Sequence, residues 1–214
     1  MELRLSEILR YSGFKGHEPD ELTLKKIEEL EDEILSSVTP KSIYREFSLS
    51  QTDGGVRIGG VEFKSNALRK NLSGCEKVLL YCCTLGVQSD MILRKYSATD
   101  SSKFVLSQAV FTELCEAYSD EVCQSLADKY ADGGLYLKPR FSVGYGDLAL
   151  EYQREFFKLL EITKRIGVTL NDECMMTPSK SVTAFIGITT EKPCRRKTCE
   201  VCDKTDCQFR MVKK

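Results

Sequence analysis

The segment from about Ser102 to Ala131 is the longest helix that the sequence predicts, so it strongly constrains the fold. Its apolar residues recur at helical spacing, and the Asp-Gly-Gly that follows is typical of a helix end. One stripe holds most of them: Phe104, Val105, Phe111, Leu114, Cys115, Tyr118 and Val122. Such a stripe indicates a helix that packs against a core on one side.

Strands and further helices surround this segment without a regular strand-helix-strand repeat. The sequence predicts a helix after Asp20 that ends before Pro40, a short helix capped by Ser65, and a helix from about Ala149 to Ile166. Five stretches have the composition of strands, with a hairpin turn "QTDGG" between the first two: "YREFSLS", "VRIGGVEF", "KVLLYCC", "LYLKPRFS" and "SVTAFIGIT". This irregular mixture predicts the α+β class.

Composition limits the partners and the compartment of the chain. Its 214 residues suit one domain, residues 1–190, followed by a basic, cysteine-rich tail, residues 191–214. The net charge of -1 gives no electrostatic reason to expect a nucleic-acid or anionic membrane partner. No apolar run approaches the ~20 residues of a membrane helix, and the first residues do not resemble a signal peptide. We therefore expect a cytoplasmic protein without nucleic-acid or membrane partners.

The stretch "KPRFSVGYGD" combines an arginine with a glycine-rich turn. The guanidinium of Arg140 offers a fork of donors that suits a carboxylate or a phosphate. Gly144 and Gly146 allow close approach of the backbone to a ligand, and the ring of Tyr145 could pack on a flat one. A surface turn in which Arg140 forms an ordinary salt bridge is the structural alternative.

Glu113 lies on a face of the long helix that is formed by small or apolar residues. That face is made by Leu106, Ala109, Val110 and Ala117. A carboxylate buried there needs a partner, and the ammonium group of a ligand is one candidate. An exposed glutamate at the helix edge is the alternative.

The tail carries four cysteines with the spacing Cys-x4-Cys-x2-Cys-x4-Cys: Cys194, Cys199, Cys202 and Cys207. Four thiolates this close can bind one tetrahedral zinc ion or an iron–sulfur cluster. The spacing does not choose between the two metals, and two disulfides or free thiols are the alternatives. The other six cysteines lie in apolar surroundings, which predicts buried thiols.

The ordered set of motifs resembles the activation (reactivation) domain of cobalamin-dependent methionine synthase, in particular its branch of stand-alone small proteins. The resemblance lies in "RFSVGYGD", in the acidic-aromatic helix that follows, and in a downstream pattern of Leu170, Met176, Pro178, Ser181 and Val182. It also includes the upstream stretch that begins at Cys75. It implies an α+β domain with a mixed or antiparallel twisted sheet and flanking helices.

The same resemblance implies a function. Such a domain binds S-adenosylmethionine beside a cobalamin that a partner chain holds, here a synthase lacking its own activation domain. A flavodoxin-like donor supplies one electron, and methyl transfer restores methylcobalamin. Carried over to this sequence, Arg140 would hold the ligand carboxylate, Ser142 and Gly144 would contact the ligand, Tyr145 would face the corrin, and Glu113 would face the amino group.

The chain departs from the family pattern after the "SV" strand. It runs into the cysteine tail there, whereas the fused domains continue with an aromatic pair that contacts the nucleoside. Two other functions therefore stay open. One is an iron–sulfur protein that passes electrons to a corrinoid partner, and the other is a binding module with a zinc-containing tail.

Overall fold

The computed structural model describes residues 3–14 and 17–191. The strands of this part, β1 to β8 in chain order, are Lys41–Thr52, Gly55–Ile58, Val61–Lys64, Lys77–Thr84, Tyr136–Leu137, Thr169–Leu170, Met176–Thr177 and Ser181–Thr189. Its α-helices, α1 to α7, are Leu5–Tyr11, Glu21–Ser37, Asn66–Asn71, Val87–Thr99, Ser101–Ala131, Gln153–Leu160 and Ile162–Ile166. The mixture confirms the predicted α+β class.

Six of the strands form one antiparallel sheet in the order β3-β2-β1-β4-β8-β5. Strand β4 lies between β1 and β8 and pairs with each over eight residues. Strands β6 and β7 form a separate two-stranded ribbon. The predicted hairpin around "QTDGG" is present as β1 and β2.

Both faces of the central strands are covered, so the domain has three layers. Side chains of a strand alternate between faces. Residues Tyr81 and Cys83 of β4 join Ile186 of β8 in a core beneath α1, α2, α4 and α5. Residues Cys82 and Phe185 belong to the opposite core, beneath α3, α6 and α7. Helix α5 therefore lies across the first face of the sheet, where the long apolar stripe predicted a core contact.

The prediction of one continuous helix from Ala149 to Ile166 is wrong. The segment consists of a 3-10 turn at Leu150–Tyr152, then α6 and α7, separated by Glu161 in the left-handed conformation with φ 54°. Leu160 and Ile162 are both buried. On a continuous helix these two residues would lie roughly 200° apart, so the break at Glu161 lets both reach the same core.

Three further expectations need correction. The stretch "VRIGGVEF" is divided into β2 and β3 by a turn at Gly59 and Gly60. The stretch "LYLKPRFS" supplies only the two residues of β5 and one bridge at Phe141, because Pro139 has no N–H to donate to the ladder. Val105, assigned to the core stripe of α5, is 50% exposed.

Gly187 of β8 provides a stability test of the sheet. A Cβ atom there would lie 2.7 Å from the Sγ of Cys75 and 2.9 Å from a methyl carbon of Leu72. We expect Gly187→Ala to lower the free energy of unfolding by about 2 kcal/mol through this overpacking, measured by urea denaturation. Gly54→Ala is the control, since its Cβ would have no neighbour within 4 Å. Equal losses in both variants would contradict the packing described for β8.

Candidate functional site

Arg140 follows β5, and its side chain contacts helix α5. Its Nη2 lies 2.7 Å from an oxygen of Glu116 and 3.0 Å from an oxygen of Asp120, and its Nη1 lies 3.9 Å from the Sγ of Cys123. The side chain is 19% exposed. Burial lowers the pKa of Arg140, but the nearby carboxylates outweigh it and raise that pKa above its ordinary value. The guanidinium is therefore a firmly charged donor at the edge of the core.

Glu113 is fully buried on α5, and its partner is Arg4. The Nε of Arg4 lies 2.7 Å from one carboxylate oxygen and its Nη2 lies 3.3 Å from the other. The backbone N–H of Arg4 also donates to Glu113, at 3.3 Å. The sequence left burial and exposure open for this residue, and the structure shows a buried carboxylate whose partner comes from the N-terminal segment.

These contacts form one charged group, which we call the α5 ion-pair network: Arg4, Glu113, Glu116, Asp120 and Arg140. Asp120 connects its two halves, because it lies 3.9 Å from Arg4 and 3.0 Å from Arg140. Three carboxylates and two guanidinium groups give the network a formal charge of -1. Glu116 is partly buried, and this burial raises its pKa.

The sequence interpretation included Arg140 and Glu113 but missed Arg4, Glu116 and Asp120. A signal for two of them was available. Positions 113, 116 and 120 are spaced by three and four residues, so a helix presents them on one side. The contribution of Arg4 gave no such signal, because it is 109 residues from Glu113 in the chain.

The loop after Arg140 is fixed to the sheet at its first residue. Phe141 exchanges two backbone hydrogen bonds with Phe185, and the backbone N–H of Tyr145 donates to the carbonyl of Ser142 at 3.2 Å. Gly144 has φ +85°, and its Cβ would lie 3.0 Å from a methyl carbon of Leu150. Both facts favour glycine at this position.

Tyr145 stands at the tip of this loop and is 52% exposed. Its ring meets that of Phe141 edge-on, with centroids 5.5 Å apart and an interplanar angle of 87°. Ser142 is partly buried. The structure thus brings Arg140, Ser142, Gly144 and Tyr145 together within one short loop, with Tyr145 facing outward.

Asp147 attaches the far end of the loop to helix α3. Its carboxylate accepts hydrogen bonds from the hydroxyl of Ser65 and from the backbone N–H groups of Asn66, at 2.8 Å, and Ala67, at 3.1 Å. Ser65 in turn caps the helix through Leu68. These bonds satisfy N–H groups that the first turn of a helix leaves without partners. The loop is therefore held at both ends.

Asp147→Ala is expected to lower the free energy of unfolding by about 1 kcal/mol, the usual effect of a lost helix cap. The hydroxyl of Ser65, then the N–H groups of α3, lower the pKa of Asp147 from its ordinary 3.8. Because its pKa is lowered, the ionised carboxylate of Asp147 contributes its full stabilisation above about pH 4. That contribution is lost as the pH falls through the pKa of Asp147 in the folded state. Urea denaturation at pH 7 and pH 3 should show the difference between wild type and variant shrinking at pH 3. A difference that stays constant would contradict a role for the ionised carboxylate.

A cleft of about 240 Å³ opens between the end of α1 and the first half of α5. It is lined by Tyr11, Gln108, Ala109 and Thr112. Beside it, the ammonium group of Lys180 donates to the carbonyl of Gln108 at 3.1 Å and to the hydroxyl of Thr112 at 3.0 Å. Burial lowers the pKa of Lys180. This lysine therefore fixes the α5 wall of the cleft.

Five of the cysteines of the described part are buried and one, Cys123, is half-buried; all six are free thiols, as predicted. Residues 3–14 and 17–191 contain no group of three or more His, Cys, Asp or Glu side chains arranged to bind a metal ion. The predicted metal ligands Cys194, Cys199, Cys202 and Cys207 lie outside the described residues. In the described part of the chain, no helix is long and apolar enough to cross a membrane.

Comparisons with known proteins agree with this fold. The family model for the activation domain of vitamin B12 dependent methionine synthase matches residues 68–195, more than half of the chain. A crystal structure described as the MetH reactivation domain bound to AdoHcy is similar with a TM-score of 0.62 and 14% identity. The match covers 90% of this chain and 72% of that one. At 14% identity, this similarity shows the fold alone. No curated protein sequence matches. By the family match, the chain belongs to the activation-domain family of vitamin B12 dependent methionine synthase.

Proposed function

We propose that the chain reactivates a cobalamin-dependent methionine synthase that lacks its own activation domain. It would bind S-adenosylmethionine and position it for reductive methylation of cob(II)alamin held by that partner chain. Membership of the family supports the proposal. The observation that carries it is the position of Arg140. Its largely buried guanidinium forms ion pairs with two carboxylates and lies beside a glycine-rich turn.

The amino-acid head of S-adenosylmethionine has a carboxylate and an ammonium group two bonds apart. We propose that its carboxylate replaces Asp120 on Arg140, because Asp120 is 58% exposed and can turn to solvent. Glu116, 37% exposed, would stay beside Arg140 and accept from the ammonium group. An arginine next to a carboxylate is thus complementary to both charges of the head.

Glu113 is the predicted partner of the ammonium group and keeps that role only if Arg4 leaves. Both its oxygens accept from Arg4, and its side chain is fully buried. A ligand ammonium group would have to displace all three hydrogen bonds that Arg4 donates to Glu113. Glu116 therefore needs the smaller rearrangement of the two carboxylates.

The loop would complete the site. Backbone groups near Ser142 and Gly144 can approach the ligand closely, because Gly144 carries no side chain and its φ is positive. Tyr145, exposed at the loop tip, would face the corrin of the docked synthase. The chain would thus contribute one half of a site that the partner completes, and its catalytic effect would come mainly from positioning.

The cofactors divide between the chains in this proposal. S-adenosylmethionine supplies the methyl group, cobalamin arrives on the synthase, and a flavodoxin-like donor supplies the electron. Zinc or an iron–sulfur cluster on Cys194, Cys199, Cys202 and Cys207 stays a prediction. An iron–sulfur activator of a corrinoid partner, or a zinc-containing binding module, would depend on those four cysteines alone.

The proposal is tested by calorimetric titration of S-adenosylmethionine into the full chain, purified without oxygen. We expect binding at one site per chain. The titration is repeated with the docked synthase present, because half of the site belongs to the partner. Absence of binding under both conditions would overturn the proposal.

A further inference from the structure

We propose that the outer edge of strand β1, over residues 41–46, binds an acidic, extended segment of a partner protein as an added antiparallel strand. We call this stretch the free edge. In the sheet order, β4 and β8 lie between β1 and β5, the strand that leads to Arg140. The free edge is therefore separate from the proposed ligand site, and the inference does not depend on the proposed function.

Strand β1 lacks a neighbour on one side over its first half. It pairs with β4 through residues 41–48 but with β2 only through residues 49–52. In the part of the chain that the structure describes, no backbone hydrogen bond reaches the other side of residues 41–46. The turn at Gly59 limits the opening, since a Cβ there would lie 3.3 Å from the ring of Phe47. An unpaired strand edge is a template on which another strand can pair.

The backbone groups that face outward follow from one hydrogen bond. The N–H of Leu49 donates to the carbonyl of Glu76, just before β4, at 2.9 Å. Successive residues of a strand direct their N–H and C=O groups to opposite sides. Odd-numbered residues of β1 therefore point to β4, and Ser42, Tyr44 and Glu46 direct their donors and acceptors to the free edge.

Charge along the free edge favours an acidic segment. Lys41 and Arg45 are exposed, and neither forms an ion pair within residues 3–14 and 17–191. Both have odd numbers, so their side chains project from the same face of the sheet. Glu46, on the opposite face, already accepts from Lys77 at 2.8 Å and from Tyr130 at 2.7 Å. The free edge thus presents two cations that an acidic strand would neutralise.

A second copy of this chain is a poorer occupant. Antiparallel pairing of β1 with its own copy, centred on Ile43, would place Lys41 opposite Arg45. Pairing centred on Arg45 would place that residue opposite itself. Like charges directly opposite each other destabilise a strand pair. The tail, residues 191–214, is basic and is unsuitable for the same reason.

The spacing of the charges defines the segment. Residues directly opposite each other in an antiparallel pair have side chains on the same face. Acidic residues opposite Lys41 and Arg45 would be four residues apart. The residue midway between them would lie opposite Ile43, which is 9% exposed, and would be apolar. The partner segment therefore carries acidic, apolar and acidic side chains at every second position.

The test titrates a synthetic peptide into the isotopically labelled full chain and follows the backbone amide signals by NMR. The peptide has glutamate as its third and seventh residues, valine as its fifth and threonine elsewhere, with both ends blocked. The amide signals of Ser42, Tyr44 and Glu46 should shift most, because these N–H groups gain acceptors. A peptide with lysine in place of glutamate should bind about tenfold more weakly, because both cross-strand charge pairs become repulsive.

N-methylation of the peptide separates strand pairing from simple charge attraction. Methylation at its fourth residue, opposite Tyr44, removes a donor of the ladder and should weaken binding about fivefold. Methylation at its fifth residue is the matched control. That N–H points away from β1, so the affinity should change little.

Charge reversal on the chain tests the proposed specificity. The double variant Lys41→Glu, Arg45→Glu should bind the lysine peptide more tightly than the glutamate peptide. Both positions are exposed, so the fold should be kept. Arg69→Glu makes the same kind of change at an exposed position of α3 and should keep the preference for glutamate.

Four outcomes would overturn the inference. The first three are no shift of the free-edge amides at millimolar peptide, equal affinity of the two methylated peptides, and an unchanged preference in the double variant. The fourth is a shift of the same amides when the chain alone is concentrated, which would identify a second copy as the occupant.

Discussion

Arg140→Ala is expected to weaken the binding of S-adenosylmethionine about 100-fold, the effect of losing roughly 3 kcal/mol. The ligand carboxylate would lose the charged, two-donor fork of Arg140. Removing one member of a buried, hydrogen-bonded charge pair at an interface costs roughly 2–5 kcal/mol, because the other charge is left desolvated and unpaired. Calorimetric titration of the full chain measures the loss.

Two further variants test whether the loss of affinity comes from the two-donor geometry of Arg140. Arg94→Ala removes the same charge from an exposed position of α4 and should leave the affinity unchanged. Arg140→Lys keeps the charge but loses the two-donor geometry, so we expect an intermediate affinity. If Arg140→Ala binds the ligand as tightly as Arg94→Ala does, the carboxylate is held elsewhere.

Phe185→Ala is expected to lower the free energy of unfolding by about 4 kcal/mol, the largest effect on stability that we predict. Phe185 is fully buried in β8. Its ring meets Phe63 at 5.1 Å and Phe156 at 5.0 Å between centroids, both edge-on. The alanine variant would leave a cavity between the sheet and the layer that contains α6.

Urea denaturation measures this loss, and Phe185→Leu is the matched variant. Leucine keeps most of the buried volume, so its loss should be well under half that of alanine. Phe185 also exchanges backbone hydrogen bonds with Phe141, next to Arg140. Circular dichroism should still show a folded domain in both variants. A loss below about 1 kcal/mol for Phe185→Ala would contradict the core described here.

The elements with strong apolar patterns were predictable from the sequence. Helix α5 and strands β4 and β8 lie where periodicity and composition put them, because each buries a continuous apolar surface. Breaks inside elements were harder to predict. Glu161 adopts a left-handed conformation because of core contacts on both sides of it, and no local signal in "KLLEITK" marks that position.

The candidate site was predictable only in part. The glycine turn and Arg140 form a local motif, so the sequence is sufficient to find them. Spacing puts Glu116 and Asp120 on one side of α5, but the residues that they and Glu113 pair with depend on how α1 and β5 pack against α5, which spacing does not show. The cleft at Tyr11 is absent from the sequence interpretation for the same reason, since its two walls are about 100 residues apart.

Transfer of an isotopically labelled methyl group tests the central claim most directly. A synthase without an activation domain, with its cobalamin in the cob(II) state, is mixed with a one-electron donor and methyl-labelled S-adenosylmethionine. Our account predicts that label appears on the cobalamin only when this chain is added, and that Arg140→Ala abolishes most of it. Equal labelling with and without the chain, or full labelling with Arg140→Ala, would contradict the account.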